Sequence, residues 1–240
     1  MRPSASLALL PLVVLLSATA AQAASLRLTP VLIEVGNTNR TAVVTLRNEG
    51  PAPITIQNRI FRWGQSRSKE ELEPTRAVVA SPPITTLAPG AEGVIRIVRI
   101  APQPVNSEES YRLIVDQLPV RRMASTGTIH MLVRHSVPVF FSAATVSPPP
   151  VLKWSVSRGP KGYEVAATNG GQVRVRISDV EMDGADKVQL LRAPGLVGYV
   201  LPKSTMRWQF AASRLRSSGP VNIHFQTEAG PLHARATIAP

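Results

Sequence analysis

Thr128 to Phe141 reads Thr-Ile-His-Met-Leu-Val-Arg-His-Ser-Val-Pro-Val-Phe-Phe. Ile129, Met131, Val133, Val137 and Val139 all fall on odd-numbered positions, and His130, Leu132, Arg134 and Ser136 fall between them. A period of two sends successive side chains to opposite faces of an extended chain. The spacing therefore predicts a single β-strand. At ~3.3 Å per residue its 14 residues would reach roughly 45 Å, more than twice the length of an ordinary strand. A strand of that length, with apolar knobs along one face, pairs with whatever open edge it meets. It is expected to be offered to another protein, with the rest of the chain holding and aiming it.

Working back from this stretch, the chain alternates short apolar runs with turn signals. Strands are expected at Ser25 to Val35, Thr41 to Arg47, Ile54 to Trp63, Ala77 to Ala80, Gly93 to Ile100 and Ser110 to Leu118. Pro30 confines the first of these to a sheet edge or a strand switch. Gly64 to Thr75 is polar and charged and reads as a solvated loop. With the long strand this gives seven strands, spaced by roughly 8 to 15 residues, the pattern of an immunoglobulin-like sandwich.

Beyond it, Ala143 to Pro150 (Ala-Ala-Thr-Val-Ser-Pro-Pro-Pro) is a stiff, Pro-rich hinge. Strands resume at Val151 to Val156, Gly162 to Ala167, Arg174 to Val180, Val188 to Leu191, Gly198 to Leu201, Thr205 to Phe210, Val221 to Gln226 and Leu232 to Ile238. The expected fold class is all-β, with an N-terminal immunoglobulin-like domain over 24–142, a hinge over 143–150 and a second β-sandwich over 151–240.

The first 23 residues stand apart. Arg2, the apolar run Leu7 to Leu16 and the small-x-small Ala21-Gln22-Ala23 form a secretory signal peptide. Its removal would leave 217 residues, 240 minus 23, with no Cys anywhere. An exported chain without disulfides must be held by cores of full domain size. No later segment has the ~18 continuous apolar residues of a membrane helix, so no membrane insertion is expected. The formal charge of +12 raises nucleic acid as a partner. The basic residues, however, alternate with apolar ones, as in Val173-Arg174-Val175-Arg176-Ile177, and form no dense run. A solvated basic face, attractive to acidic protein surfaces, is the better reading, and no nucleic acid is expected.

Nor does the sequence read as an enzyme. Four dispersed His and no Cys offer no metal spacing. Neither a phosphate-binding Gly-rich loop nor a Gly-x-Ser-x-Gly elbow occurs. No cofactor is expected.

The ordered set Ala77 to Val98 (Ala-Val-Val-Ala-Ser-Pro-Pro-Ile-Thr-Thr-Leu-Ala-Pro-Gly-Ala-Glu-Gly-Val-Ile-Arg-Ile-Val), Ser110 to Pro119 (Ser-Tyr-Arg-Leu-Ile-Val-Asp-Gln-Leu-Pro) and then the long alternating strand resembles the periplasmic chaperones of the chaperone–usher pilus pathway. The resemblance spans most of Ser25 to Phe141. It implies two immunoglobulin-like domains in a boomerang. It also implies donor-strand complementation, in which the long strand fills the open core of a pilus or fimbrial subunit by β-addition. The residues matching the inserted knobs are Ile129, Met131 and Val133, with Val137 as a fourth. An outer-membrane usher that receives the loaded complex is a second implied partner. A bare strand could also pair with a second copy when free. Against this stands an immunoglobulin-like structural or surface-fibre protein of the envelope, disfavoured because the long strand lies mid-chain with a whole domain after it.

The chain departs from the common family pattern at one place. Typical members hold the subunit's C-terminal carboxylate with an Arg on the first strand and a Lys on the long strand. The matching positions here are Pro30 to Leu32, which carry no base, and Pro138. Ser136-Val137-Pro138-Val139-Phe140 is similar to the divergent archaic branch. A carboxylate favours a bidentate Arg, and the candidates are Arg112, Arg134 and Arg96. The cis or trans state of the Pro82-Pro83 region is not readable from sequence.

Overall fold

The computed structural model describes residues 26–66, 69–119, 132–142, 152–159, 161–212 and 218–239. All regular structure in these segments is β-strand. The first domain contains β1 (Leu26–Thr29), β2 (Ile33–Val35), β3 (Thr41–Asn48), β4 (Ile54–Ser66), β5 (Lys69–Pro74), β6 (Val78–Ser81), β7 (Ile84–Leu87), β8 (Glu92–Arg99), β9 (Glu109–Gln117) and β10 (Arg134–Phe141). One sheet runs β1-β3-β8-β6 and the other β2-β10-β9-β4-β5, with β7 also on β4. Alternate residues of both sheets, among them Leu28, Leu46, Ile56, Ile97, Tyr111, Leu113 and Val139, close on a single core.

The Pro30 break is where the first segment changes sheets. Residues before it pair antiparallel with β3, and Ile33–Val35 pairs parallel with Val139 to Phe141 of β10. Pro has no N–H to continue a ladder, so pairing stops there and the chain crosses. Two stretches differ from expectation. The polar Gly64 to Thr75 is not a loop: β4 runs on to Ser66 and pairs with β5, whose residues are all exposed. A strand wetted on both faces shows no alternation, which is why it is silent in the sequence. β7, after the cis Ser81–Pro82 bond, adds a short pairing with β4.

The second domain contains β11 (Leu152–Gly159), β12 (Gly162–Asn169), β13 (Val175–Gly184), β14 (Gln189–Val200), β15 (Thr205–Ala211), β16 (Gly219–Thr227) and β17 (Gly230–Ala239). They hydrogen-bond in the order β14-β13-β16-β17-β11-β12-β15 and wrap one core that includes Tyr163, Val165, Ile177, Met182 and Ile223. What reads as two strands, Val188 to Leu191 and Gly198 to Leu201, is the one strand β14. Its partner register jumps between Ala193 and Leu196, so Pro194 and Gly195 bulge out of the ladder. Gly162 is required by a close approach: a Cβ there would meet the Phe210 carbonyl oxygen at 1.8 Å.

Each domain also buries an Asn completely. Asn48 and Asn169 accept from the N–H of Gly50 and Gly171 and donate to turn carbonyls across the fold. The two domains meet at an aromatic cluster of Trp63 on β4, Phe140 on β10 and Tyr199 on β14, with ring centroids 5.6–5.8 Å apart. Gln65 fastens this junction, donating to the Tyr199 carbonyl and accepting from the Leu201 N–H. The Pro-rich hinge lies outside the described residues.

Candidate functional site

Of the long alternating stretch, residues 132–141 are described: Arg134–Phe141 form β10, and Leu132 and Val133 precede it outside the strand. On one side β10 pairs with β9 from Arg134 to Phe141. On the other, β2 covers only Val139 to Phe141. The Gln117 N–H donates to the Val133 carbonyl, and the Ser142 N–H donates to the Val35 carbonyl. In a strand each residue's N–H and C=O point to the same side, alternating along the chain. Odd-numbered residues of β10 therefore bond to β9, and even-numbered ones face β2 or, before it begins, an edge with no partner strand among the described residues. Arg134 and Ser136 present both backbone groups to that edge. Pro138 lacks its N–H on the same side, so it removes nothing from the ladder to β9.

The side-chain faces follow the same parity. Val139 and Val137 pack in the domain core. His135, next on that face, is only half-buried, and so is Val133. The core-facing row thus outlasts the core. Val137 itself is 3% exposed and packs in the domain's own core. Ile129 and Met131 lie outside the described residues. His135 sits where the core ends, and burial pushes its imidazole below the ordinary histidine range.

The opposite face of this sheet carries charge. Arg112 on β9 stands between Pro138 of β10 and Phe61 of β4, with Tyr111 and Leu113 turned to the core on either side. Its guanidinium lies 3.7 Å over the Trp63 ring and is 13% exposed. Glu70 Oε1 on β5 accepts a hydrogen bond from its Nη2 at 3.4 Å. Burial pulls the Arg112 pKa down, with Glu70 opposing the shift. Four residues further along β9, roughly 13 Å away, Asp116 is gripped by Arg134 at 2.5 Å and Arg59 at 2.6 Å. The hydrogen bond from Arg134 holds the Asp116 carboxyl below the usual range. Arg96 is elsewhere. It is exposed on β8 of the other sheet, between the core residues Ile95 and Ile97 and so turned outward. Of the three candidate bases, Arg112 stands beside the domain junction, Arg134 is committed to Asp116, and Arg96 does not reach this face.

The junction itself is charged beneath its aromatics. Arg174, just before β13, stacks 3.7 Å from the Phe140 ring. It bonds Glu108 at 2.5 Å, contacts Glu34 of β2, and lies 3.8 Å from Glu228. Arg174 and Glu108 side chains are 6% and 2% exposed. Burial pushes the Glu108 carboxyl upward against the pull of Arg174. Sequence reasoning missed Trp63, Glu70 and Arg174 as parts of the site. Trp63 ends an alternating run and Arg174 opens an alternating basic one, but their partners come from remote strands, which local spacing does not reveal.

Among the described residues no group of three or more His, Asp or Glu could hold a metal ion. No helix among them is long and apolar enough to cross a membrane. The arrangement offers a backbone edge, a short apolar row and one shielded guanidinium, which together can take an extended peptide.

A family model described as pili and flagellar-assembly chaperone, PapD N-terminal domain, matches residues 25–147. No curated protein matches in sequence. Among solved structures, the chain is similar to one in the CsuC–CsuE chaperone–tip adhesion subunit pre-assembly complex from archaic chaperone–usher Csu pili of Acinetobacter baumannii. That match has 23% identity, 90% of this chain and 100% of that one covered, and a TM-score of 0.69. The Salmonella enterica SafA pilin–SafB chaperone complex matches with 17% identity, 90% and 98% coverage, and a TM-score of 0.61. The Pseudomonas aeruginosa CupB2 chaperone matches with 18% identity, 87% and 98% coverage, and a TM-score of 0.54.

Proposed function

The chain belongs to the pili and flagellar-assembly chaperones with a PapD N-terminal domain, and from that premise we propose that it binds pilus or fimbrial subunits by donor-strand complementation and passes them to an outer-membrane usher. It is a non-enzymatic, archaic-type member that works without a cofactor. Export by the signal over residues 1–23 places it in the periplasm.

The reading rests on the edge of β10. From Arg134 to Pro138 the strand has a side with no partner among the described residues, and its row of inward side chains continues past the point where its own core ends. The sequence carries that row on through Val133, Met131 and Ile129 at the same parity. A subunit lacking its last strand would add its backbone to this edge and receive these side chains in its pockets. Burying each one contributes roughly 1.5–3 kcal/mol, less the cost of ordering both partners. Met131 is unbranched and suits pockets of imperfect shape, as fits a donor that must later be exchanged. Arg112 is the anchor for the subunit's terminal carboxylate: it lies over the Trp63 ring, is largely shielded from water and stands beside the domain junction.

The test is co-expression of the full chain with pilin-like subunits encoded beside it, followed by pull-down from the periplasm. A one-to-one complex that is lost in Met131→Glu, with the chaperone still folded, supports the reading. Unfolding of Met131→Glu would mean that the side chain serves the chaperone's own core. No complex with any neighbour would turn the assignment toward a structural envelope protein.

A further inference from the structure

Two guanidinium groups on the charged face of β9 and β10 are held in opposite ways. Arg134 has a short, tight partner in Asp116, which Arg59 also grips. Arg112 is the more deeply buried of the two, yet among the described residues the acid that meets it is Glu70, through one oxygen at 3.4 Å. That is the long limit of a hydrogen bond, and Glu70 is 46% exposed. A buried cation is normally paired closely, because a loose partner leaves its desolvation uncompensated.

Glu70 is not placed there by Arg112. It sits on the outermost strand β5, opposite Gln65, and Gln65 is fastened to the backbone of the second domain. The hairpin is therefore fixed at the junction by other bonds, and it presents Glu70 to the guanidinium across the Trp63 ring. A single oxygen at 3.4 Å is a one-pronged contact, and a bidentate carboxylate binds a guanidinium more strongly.

We propose that Glu70 is an internal stand-in for the client's terminal carboxylate, occupying Arg112 in the free protein and giving way when the client arrives. This rests on the reading of Arg112 as the anchor. Glu70 keeps the guanidinium oriented on Trp63 and partly neutralised while no client is present. It also lowers the affinity for stray carboxylates, so that only one delivered together with a paired strand displaces it.

The test uses the full mature chain labelled with [15N]arginine and acetate as the probe. The Arg112 Nε–Hε resonance is assigned from its loss in Arg112→Met, which keeps the bulk over Trp63. Acetate is titrated at constant ionic strength against chloride. The expected result is a saturable shift whose midpoint falls about three- to tenfold in Glu70→Gln, the effect of removing one charged competitor. Equal midpoints in wild type and Glu70→Gln overturn the stand-in while leaving the anchor in place. No acetate-specific shift in either protein removes both. Because Glu70 is exposed, its variant is expected to melt like the wild type, and Glu70→Ala repeats the measurement without an amide.

Discussion

Replacing Arg174 with Ala would remove a guanidinium that joins the two domains. Its side chain contacts Glu34 and Glu108 from the first domain and lies over the Phe140 ring at 3.7 Å. Glu108 keeps the hydrogen bond from the residue-174 backbone N–H, which Ala retains. It loses its charged partner at a site where its side chain is 2% exposed in the wild type. A buried charge stripped of its counter-ion destabilises by about 3–5 kcal/mol, and the lost stacking on Phe140 acts in the same direction. The assay is urea unfolding followed by far-UV circular dichroism and by tryptophan fluorescence. Trp63 reports the junction, and Trp154 and Trp208 report the second domain. Wild type should unfold with the two signals together; Arg174→Ala should unfold earlier, with the junction signal leading. Glu108→Gln in the same background should restore about 2 kcal/mol or more, because a neutral amide costs less to bury than an unpaired carboxylate. A loss below about 1 kcal/mol, or a double-mutant cycle without coupling between positions 108 and 174, would refute the account.

Tyr111 donates its hydroxyl to Glu109, and burial, aided by that bond, pushes its pKa up to about 12. The folded value lies above the ordinary one, so its contribution is complete below about pH 10 and fades as pH rises through about 12; the difference absorbance titration of wild type against Tyr111→Phe measures it. Asp116 has the opposite sign: its folded pKa is depressed by Arg134, so the clamp contributes above about pH 4 and is lost as pH falls further. Urea midpoints of Asp116→Asn should therefore converge with wild type at the acid end only. Val137→Ala should destabilise the first domain by about 1.5–3 kcal/mol, read as a shifted urea midpoint, while Met131→Glu leaves that midpoint in place and abolishes subunit capture.

Alternation over the long strand was enough to establish extended structure and two distinct faces. It could not say which stretch of the inward face would meet the chain's own core, because that depends on where the opposing sheet ends. Val137 and Val133 have the same residue type and the same parity, yet only Val137 is covered. Pro30 announced the change of sheets because a missing N–H acts locally. The β4–β5 extension was silent: Lys69 to Pro74 is wet on both faces, and only backbone pairing defines it. The Arg112 neighbourhood was half legible. An Arg between apolar residues on a strand is visible in sequence, but its seat on Trp63 and its contact with Glu70 come from strands 42 or more residues away. For the same reason Arg174, drawn to Glu34 across 140 positions, looked like one more basic residue on a wetted strand.

β2 is only three residues long, and it covers the last three of β10. Any strand that joins the remaining edge must lie end to end with it. β2 therefore acts as the zero mark of a ruler: it fixes which residue of an incoming chain sits opposite Ser136 and which opposite Arg134. A slip of one residue would turn every inserted side chain to the wrong face. A slip of two toward β2 would drive the newcomer into the chain leading from Pro30. Length is metered at one end of this edge before any pocket further along is filled.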